Sequence, residues 1–341
     1  MRNQLLLLFI TFSISTLYAN STIVKKDTIT TTDNTVLIGD IKNLDALKLI
    51  ISTNYSKDDL HLKWNNIASI KSDKNFTFFF SNGERIRGKI SDINLDFIEI
   101  RNDKTTNKFL RKQLISFKLT DDLFHDRFDA HTEFSLSHKK ALNYFQYSTD
   151  LGVNYDTKKI SLLFDLNINN VHTNSTDNIK RLTLNTGVDN YLKNNFYISS
   201  RVKLFKNSQQ NLDLRTTTST AFGVKFINRP KIVSNVTIGL SLNNERFTQN
   251  NFHENSIEIY SGLKIKLLDF NKNTLEFNSH HYLSTTSGKR FRADSQLDYK
   301  HDLPHSLYMK ASYSYNYDSQ ISEASKKLDY ITNLGIGWKF K

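Results

Sequence analysis

The sequence predicts an all-β chain: an antiparallel transmembrane β-barrel of about twelve strands, preceded by a small N-terminal β-module. Three observations carry that expectation. From residue 129 to the end, apolar and polar side chains alternate with a period of two almost without interruption, the pattern of strands with two chemically different faces. Most of the alternating segments are also longer than an ordinary strand, and reach the roughly nine to eleven tilted residues that cross a bilayer. The connections between them fall into short and long classes in strict alternation, which sets outer-membrane barrels apart from soluble sandwiches.

Composition agrees. The 341 residues include 2 prolines and no cysteine, which excludes disulfides, zinc–thiolate sites and a lipid-modified cysteine. A mean hydropathy of -0.48 resembles that of a soluble protein, but a barrel that exposes one face to lipid and one to water averages low as well. No run approaches the ~18 apolar residues of a membrane helix.

Residues 1–19 read as a signal peptide. Arg2 precedes an apolar run over 5–17 that ends in a polar stretch after Ala19, giving the charged, apolar and cleavage regions of an export signal.

Residues 20–128 read as a periplasmic, β-rich module that repeats itself. Gly39-Asp40-Ile41 is echoed by Gly88-Lys89-Ile90, 49 residues later. Leu62-Lys63-Trp64-Asn65-Asn66-Ile67 is echoed by Phe109-Leu110-Arg111-Lys112-Gln113-Leu114, 47 residues later. Similarity at one period marks duplicated supersecondary units, here of SH3-like or other small-barrel type. Asn82-Gly83 supplies a hairpin turn within the second copy.

Residues 129–341 read as the barrel. Twelve segments are expected, at 131–138, 145–155, 160–170, 179–192, 196–205, 213–227, 232–243, 256–267, 273–283, 290–300, 306–317 and 329–340. Short connections at 156–159, 193–195, 228–231, 268–272 and 301–304 would face the periplasm. Longer ones at 171–178, 206–212, 244–255, 284–289 and 318–328 would face outward. Pro230 and Pro304 fall in short turns, where a missing N–H breaks no ladder bond. Tyr313, Tyr315 and Tyr317 at one end, and Trp338 and Phe340 at the other, lie on the outward phase as interface aromatics.

The last strand, Leu334-Gly335-Ile336-Gly337-Trp338-Lys339-Phe340, resembles the alternating, aromatic-ended signal that outer-membrane proteins present to the barrel-assembly machinery. Together with the export signal and the repeated module, the chain resembles the domain-of-unknown-function 481 family, described as salt-induced outer-membrane proteins. That resemblance implies a location and a fold, with no established chemistry.

The residues themselves offer little catalysis. His280 and His281 are adjacent on a strand and so point to opposite faces, which prevents them from sharing a metal. Hydrolase elbows, phosphate loops and dinucleotide fingerprints are missing from the chain. We therefore expect no catalytic residue, metal or cofactor. The formal net charge of +12 is scattered among acids, which argues against nucleic acid and for outer-membrane lipid and lipopolysaccharide. On the inward phase acids and bases nearly balance, with bases concentrated at Arg201, Lys203, Lys225, Lys264 and Lys266 as a possible selectivity lining. The expectation is a non-enzymatic barrel of the Gram-negative outer membrane, either envelope-structural or a narrow channel, with its module in the periplasm against an unidentified partner. The alternatives are a barrel-embedded hydrolase or a secreted soluble β-protein that binds glycans.

Overall fold

Frequent turn residues cut the first hundred positions into short strands, and the strands assemble as two copies of one unit. The computed structural model describes residues 26–102, 105–120, 128–139, 144–172, 179–248, 253–270, 272–286, 288–320 and 327–340. The expected signal peptide and the 121–127 junction lie outside the described residues.

The first unit comprises β1 (Asp27–Thr31), β2 (Val36–Asp45), β3 (Lys48–Ser52), β4 (Leu60–Lys63), a 3-10 turn at Trp64–Asn66, and β5 (Ile67–Lys71). The second comprises β6 (Phe76–Phe80), β7 (Arg85–Ile93), β8 (Phe97–Arg101), β9 (Thr106–Leu110), a 3-10 turn at Arg111–Gln113, and β10 (Leu114–Leu119). In each, the first strand pairs with the second and the fifth, and the second, third and fourth follow as a meander. This is the duplication expected from the repeats. Gly39 and Gly88 hold equivalent places: a Cβ on either would lie within 2.3 or 2.6 Å of the carbonyl oxygen of Ser52 or Arg101 on the neighbouring strand. Only glycine permits that approach.

The units join where β10 pairs with β2, Phe117 opposite Leu44, over one core that includes Ile41, Leu49, Phe76, Phe78 and Phe117. Trp64 and Arg111, equivalent at the offset of 47, meet at this junction. The Arg111 guanidinium lies 4.2 Å from the centre of the Trp64 ring. It donates to the carbonyls of Ile67 at 2.8 Å and Asn94 at 2.9 Å, and to that of Trp64.

The barrel strands are β11 (Phe128–Lys139), β12 (Tyr144–Asp156), β13 (Ile160–His172), β14 (Ile179–Tyr191), β15 (Phe196–Asn207), β16 (Leu212–Arg229), β17 (Ile232–Phe247), β18 (His253–Phe270), β19 (Asn273–Ser284), β20 (Phe291–Asp302), β21 (Leu307–Asp318) and β22 (Leu328–Phe340). Each pairs with its neighbours in sequence, and β22 returns to β11 through Ala130 opposite Phe340 to Ser135 opposite Gly335, closing the ring. Closure removes every free edge, a condition for a sheet in hydrocarbon.

The alternation has the expected sense. On β17, Ile238, Leu240 and Leu242 are 62%, 61% and 59% exposed, whereas Ser241 and Asn243 between them are 1% and 3% exposed. A soluble protein would reverse this, so the outer wall is built for lipid. Tyr313, Tyr315 and Tyr317 share the outward phase toward the long-loop end, and Trp338 stacks on Phe340 at 5.1 Å between ring centres near the short-turn end.

One expectation needs correction. The segment 244–255 is mostly strand, with Asn244, Glu245 and Arg246 paired to Asn255, Glu254 and His253. Strands β16, β17 and β18, of 18, 16 and 18 residues, keep their ladder beyond the bilayer-facing leucines because Arg215, Glu245 and Glu254 continue the inward phase with charge. The 206–212 connection shortens likewise to residues 208–211 around a 3-10 turn.

Candidate functional site

Because the side-chain period is two, twelve strands direct their whole polar phase into one lumen, and what fills that lumen decides what the barrel can do. At the long-loop end four charged groups form a lattice. Arg290 donates to Glu245 at 2.7 Å and to Asp318 at 2.8 and 2.6 Å. Arg215 donates to the same two acids, to Asp318 at 3.1 Å and to Glu245. One layer deeper Arg292 grips Glu258 through two bonds of 3.1 and 2.6 Å. Glu245 and Glu258 are 0% exposed, Arg290 and Arg292 2%, and Asp318 3%. Groups so fully shielded form a packed layer of charge beneath the long loops.

The basic residues expected as a lining lie in the lumen, dispersed among several neighbours. Arg201 pairs with Asp189 at 2.7 Å and Lys203 with Asp294 at 2.6 Å. Lys264 and Lys266 share Glu276 at 2.7 and 3.4 Å. Lys225 has no carboxylate within ion-pair distance among the described residues, and its ammonium faces the Tyr191 ring at 4.9 Å. Four of the five thus share three carboxylates, so they do not form a belt of one sign.

A further cluster joins distant strands. Glu133 accepts from Tyr308 at 2.6 Å, Lys310 at 2.6 Å and Lys300 at 2.9 Å, and His131 lies 3.4 Å from Asp150. His131, Glu133 and Asp150 are the group closest to a metal-ligand set among the described residues. Two ammonium groups already saturate Glu133, so the cluster suits a cation poorly.

His280 and His281 do face opposite ways. His280 bonds to Tyr260 at 2.9 Å inside the lumen, while His281 stacks on Phe291 and bonds to Ser279 at 3.1 Å on the outer face. The Ser279–His281 contact has the elements of a nucleophile and base. However, Ser279 is 3% exposed and its hydroxyl also engages Ser295, which leaves no path for a substrate carbonyl.

The short-turn mouth meets the module. Gly83, at φ +84° in the β6–β7 turn, comes so close to Asn195 that a Cβ would lie 2.4 Å from its backbone nitrogen. Asn195 donates to the Ser81 carbonyl at 2.9 Å, and Asn228 donates to the Phe80 carbonyl at 3.3 Å and to Asn195 at 2.7 Å. Arg85 donates to the Thr157 carbonyl at 3.1 Å and lies over the Tyr191 ring at 3.2 Å. At the same β12–β13 turn, Lys118 reaches Asp129 and lies 3.6 Å from Asp156. The hairpin legible from Asn82-Gly83 is therefore also a docking element, which its sequence does not disclose.

Sequence comparison matches residues 133–340 to the family described as "Protein of unknown function, DUF481". The chain belongs to the DUF481 family. The DUF481 match spans the barrel from β11 to β22 and leaves the docked module outside it. No curated protein sequence matches the chain. Among solved structures it is similar to the NanC porin, at 10% identity and a TM-score of 0.40 over 63% of this chain and 99% of that one. It is also similar to the translocator domain of the autotransporter NalP from Neisseria meningitidis, at 14% identity and 0.38 over 62% and 87%. An outer membrane channel from Pseudomonas putida F1 follows at 11% and 0.39 over 62% and 94%.

Proposed function

We propose that this DUF481 protein is a non-enzymatic outer-membrane barrel, closed at rest, that serves the envelope by holding its duplicated module against the periplasmic mouth. The observation that carries the reading is the occupied lumen. Buried charge fills it beneath the long loops, and the module docks across the short turns. Burying several arginines and acids costs more than an equivalent apolar plug, and the cost is recovered only while every charge keeps its partners. A charge-selective lining needs the opposite, one sign left facing water.

Single-channel recording on the mature chain in a planar bilayer tests this. The expected trace is silent at moderate voltage, and discrete, ohmic current steps would replace the closed reading with a narrow channel. The non-enzymatic part has its own test: phospholipid hydrolysis by the purified barrel that disappears in Ser279→Ala or His281→Ala would overturn it.

A further inference from the structure

The short-turn rim carries charge of a different kind from the lumen. Each of the first four short turns presents at least one cation to solvent: Lys158 and Lys159, then Lys193, then Arg229 and Lys231, then Lys272. None of these six has an acid within ion-pair distance among the described residues. The carboxylates at this level are already engaged, Asp129 and Asp156 by Lys118 and Asp302 by Lys339. At the opposite rim the outward Lys206 and Arg246 share Asp213, while the exposed Lys180, Lys289 and Lys327 have no acid within ion-pair distance among the described residues.

Immediately above the ring stand exposed apolar side chains, among them Phe196, Phe226 and Leu307. Cations at the edge of an apolar belt occupy the depth at which lysine and arginine reach toward lipid headgroups. At one point the rim is formed into a cleft of about 420 Å³ between the module and the β16–β17 turn. Phe226, Ile227 and Ile232 make its apolar wall, Ser81 and Asn195 its polar floor, and Arg229 stands at its edge. The apolar wall and the unpaired guanidinium match the acyl chain and the phosphate of one lipid.

We propose that this rim binds anionic phospholipid of the leaflet facing the periplasm, and that the cleft beside Arg229 holds one such lipid in a defined place. The inference rests on the barrel reading, which puts the short turns on that side. Six unpaired cations attract an anionic surface additively, and salt weakens the attraction. A lipid held in the cleft would also touch Ser81 of the module and so tie module docking to the membrane.

The test is to reconstitute the full mature chain in nanodiscs of equimolar phosphatidylglycerol and phosphatidylcholine, and to weigh the lipids it retains by native mass spectrometry. About threefold or greater enrichment of phosphatidylglycerol is expected, given the attraction of each cation to an anionic surface. The ratio should fall toward parity in K193Q/R229Q/K231Q and at high salt, and stay enriched in K206Q at the other rim. A second set, K158Q/K159Q/K272Q, should lower it partway and guards against a folding defect in the first. Parity in the wild-type protein, or enrichment that survives both variant sets, overturns the proposal while the inserted barrel stands. A chain that never enters the discs overturns the barrel reading, and the proposal with it.

Discussion

Closure of the lumen makes a prediction that chemistry can read directly, because a chain without cysteine reports any single thiol placed in it. Ser256 lies one inward position below the lattice. It is 4% exposed, donates to Glu258 at 3.3 Å and accepts from Asn243 at 3.4 Å. A charged, membrane-impermeant thiosulfonate should modify Ser256→Cys slowly in folded barrels, since the reagent must wait for the lattice to open. Adding Glu245→Gln removes the acid shared by Arg215 and Arg290 and leaves excess positive charge where water is excluded. Breaking a buried pair by removing one partner costs about 3–5 kcal/mol. If that whole cost appeared in the opening equilibrium, modification would accelerate about a hundred- to several-thousandfold, at about 1.4 kcal/mol per decade. Asp318 and Glu254 remain within reach of Arg290, so part of the cost is absorbed and an acceleration of about ten- to a hundredfold is the expectation. Heat-modifiable mobility on a gel would confirm that both proteins are folded barrels. Equal rates with and without Glu245, or a rate for Ser256→Cys alone as fast as that of a thiol at the exposed Lys206, would refute the argument.

Three other outcomes follow from the module and its docking. Arg111→Ala removes a donor from two buried carbonyls and one partly buried one, at about 1–3 kcal/mol for a buried group left unsatisfied, and should unfold the module well before the barrel; Trp64 fluorescence in a Trp338→Phe background follows it. Gly83→Val combines a disfavoured positive φ with a clash against Asn195, and should raise hydrogen exchange across Ser81–Arg85 and the 193–195 turn while the barrel strands stay protected. Lys74 is pushed down by burial but, on balance, held above the usual lysine range by Asp40 and Asp27, at 2.8 and 2.9 Å. Its contribution is therefore fully present below the unfolded value of 10.5 and lost as pH rises through the higher folded value. A module melting midpoint that declines above about that pH, with the decline absent in Lys74→Gln, is expected from pH-dependent thermal scans.

The parts of the fold written in local pattern were readable, and those written in distant pairing were not. Alternation of the Leu240-Ser241-Leu242 kind places each strand and its outward face, because a one-residue slip would bury the wrong half. The offset of 47 between the repeats puts Trp64 and Arg111 at one equivalent position, but nothing in the sequence shows that they would stack across the join. The lattice was missed for a physical reason. The expected strands stop short of both acids: Asp318 and Glu245 fall inside the expected loops 318–328 and 244–255, while Arg290 opens the expected strand 290–300. The signal that could have found them is charge persisting at every second residue past the last outward leucine, as in Leu242-Asn243-Asn244-Glu245.

Partnership across the lumen is a property of the closed ring. Lys203 and Asp294 are 91 positions apart and Glu133 and Lys310 are 177 apart, distances over which no periodicity carries information. Yet the near balance of inward acids and bases already constrains the outcome. In a narrow interior of low dielectric, unpaired charge is expelled or neutralised, so balanced charge on the inner phase predicts pairing and a filled lumen. Surplus charge must then lie where water or a counter-charge can meet it. The short-turn cations meet that condition, since they are exposed, without acids of their own, and adjacent to the apolar belt. The overall basicity of the chain thus says little about the lumen.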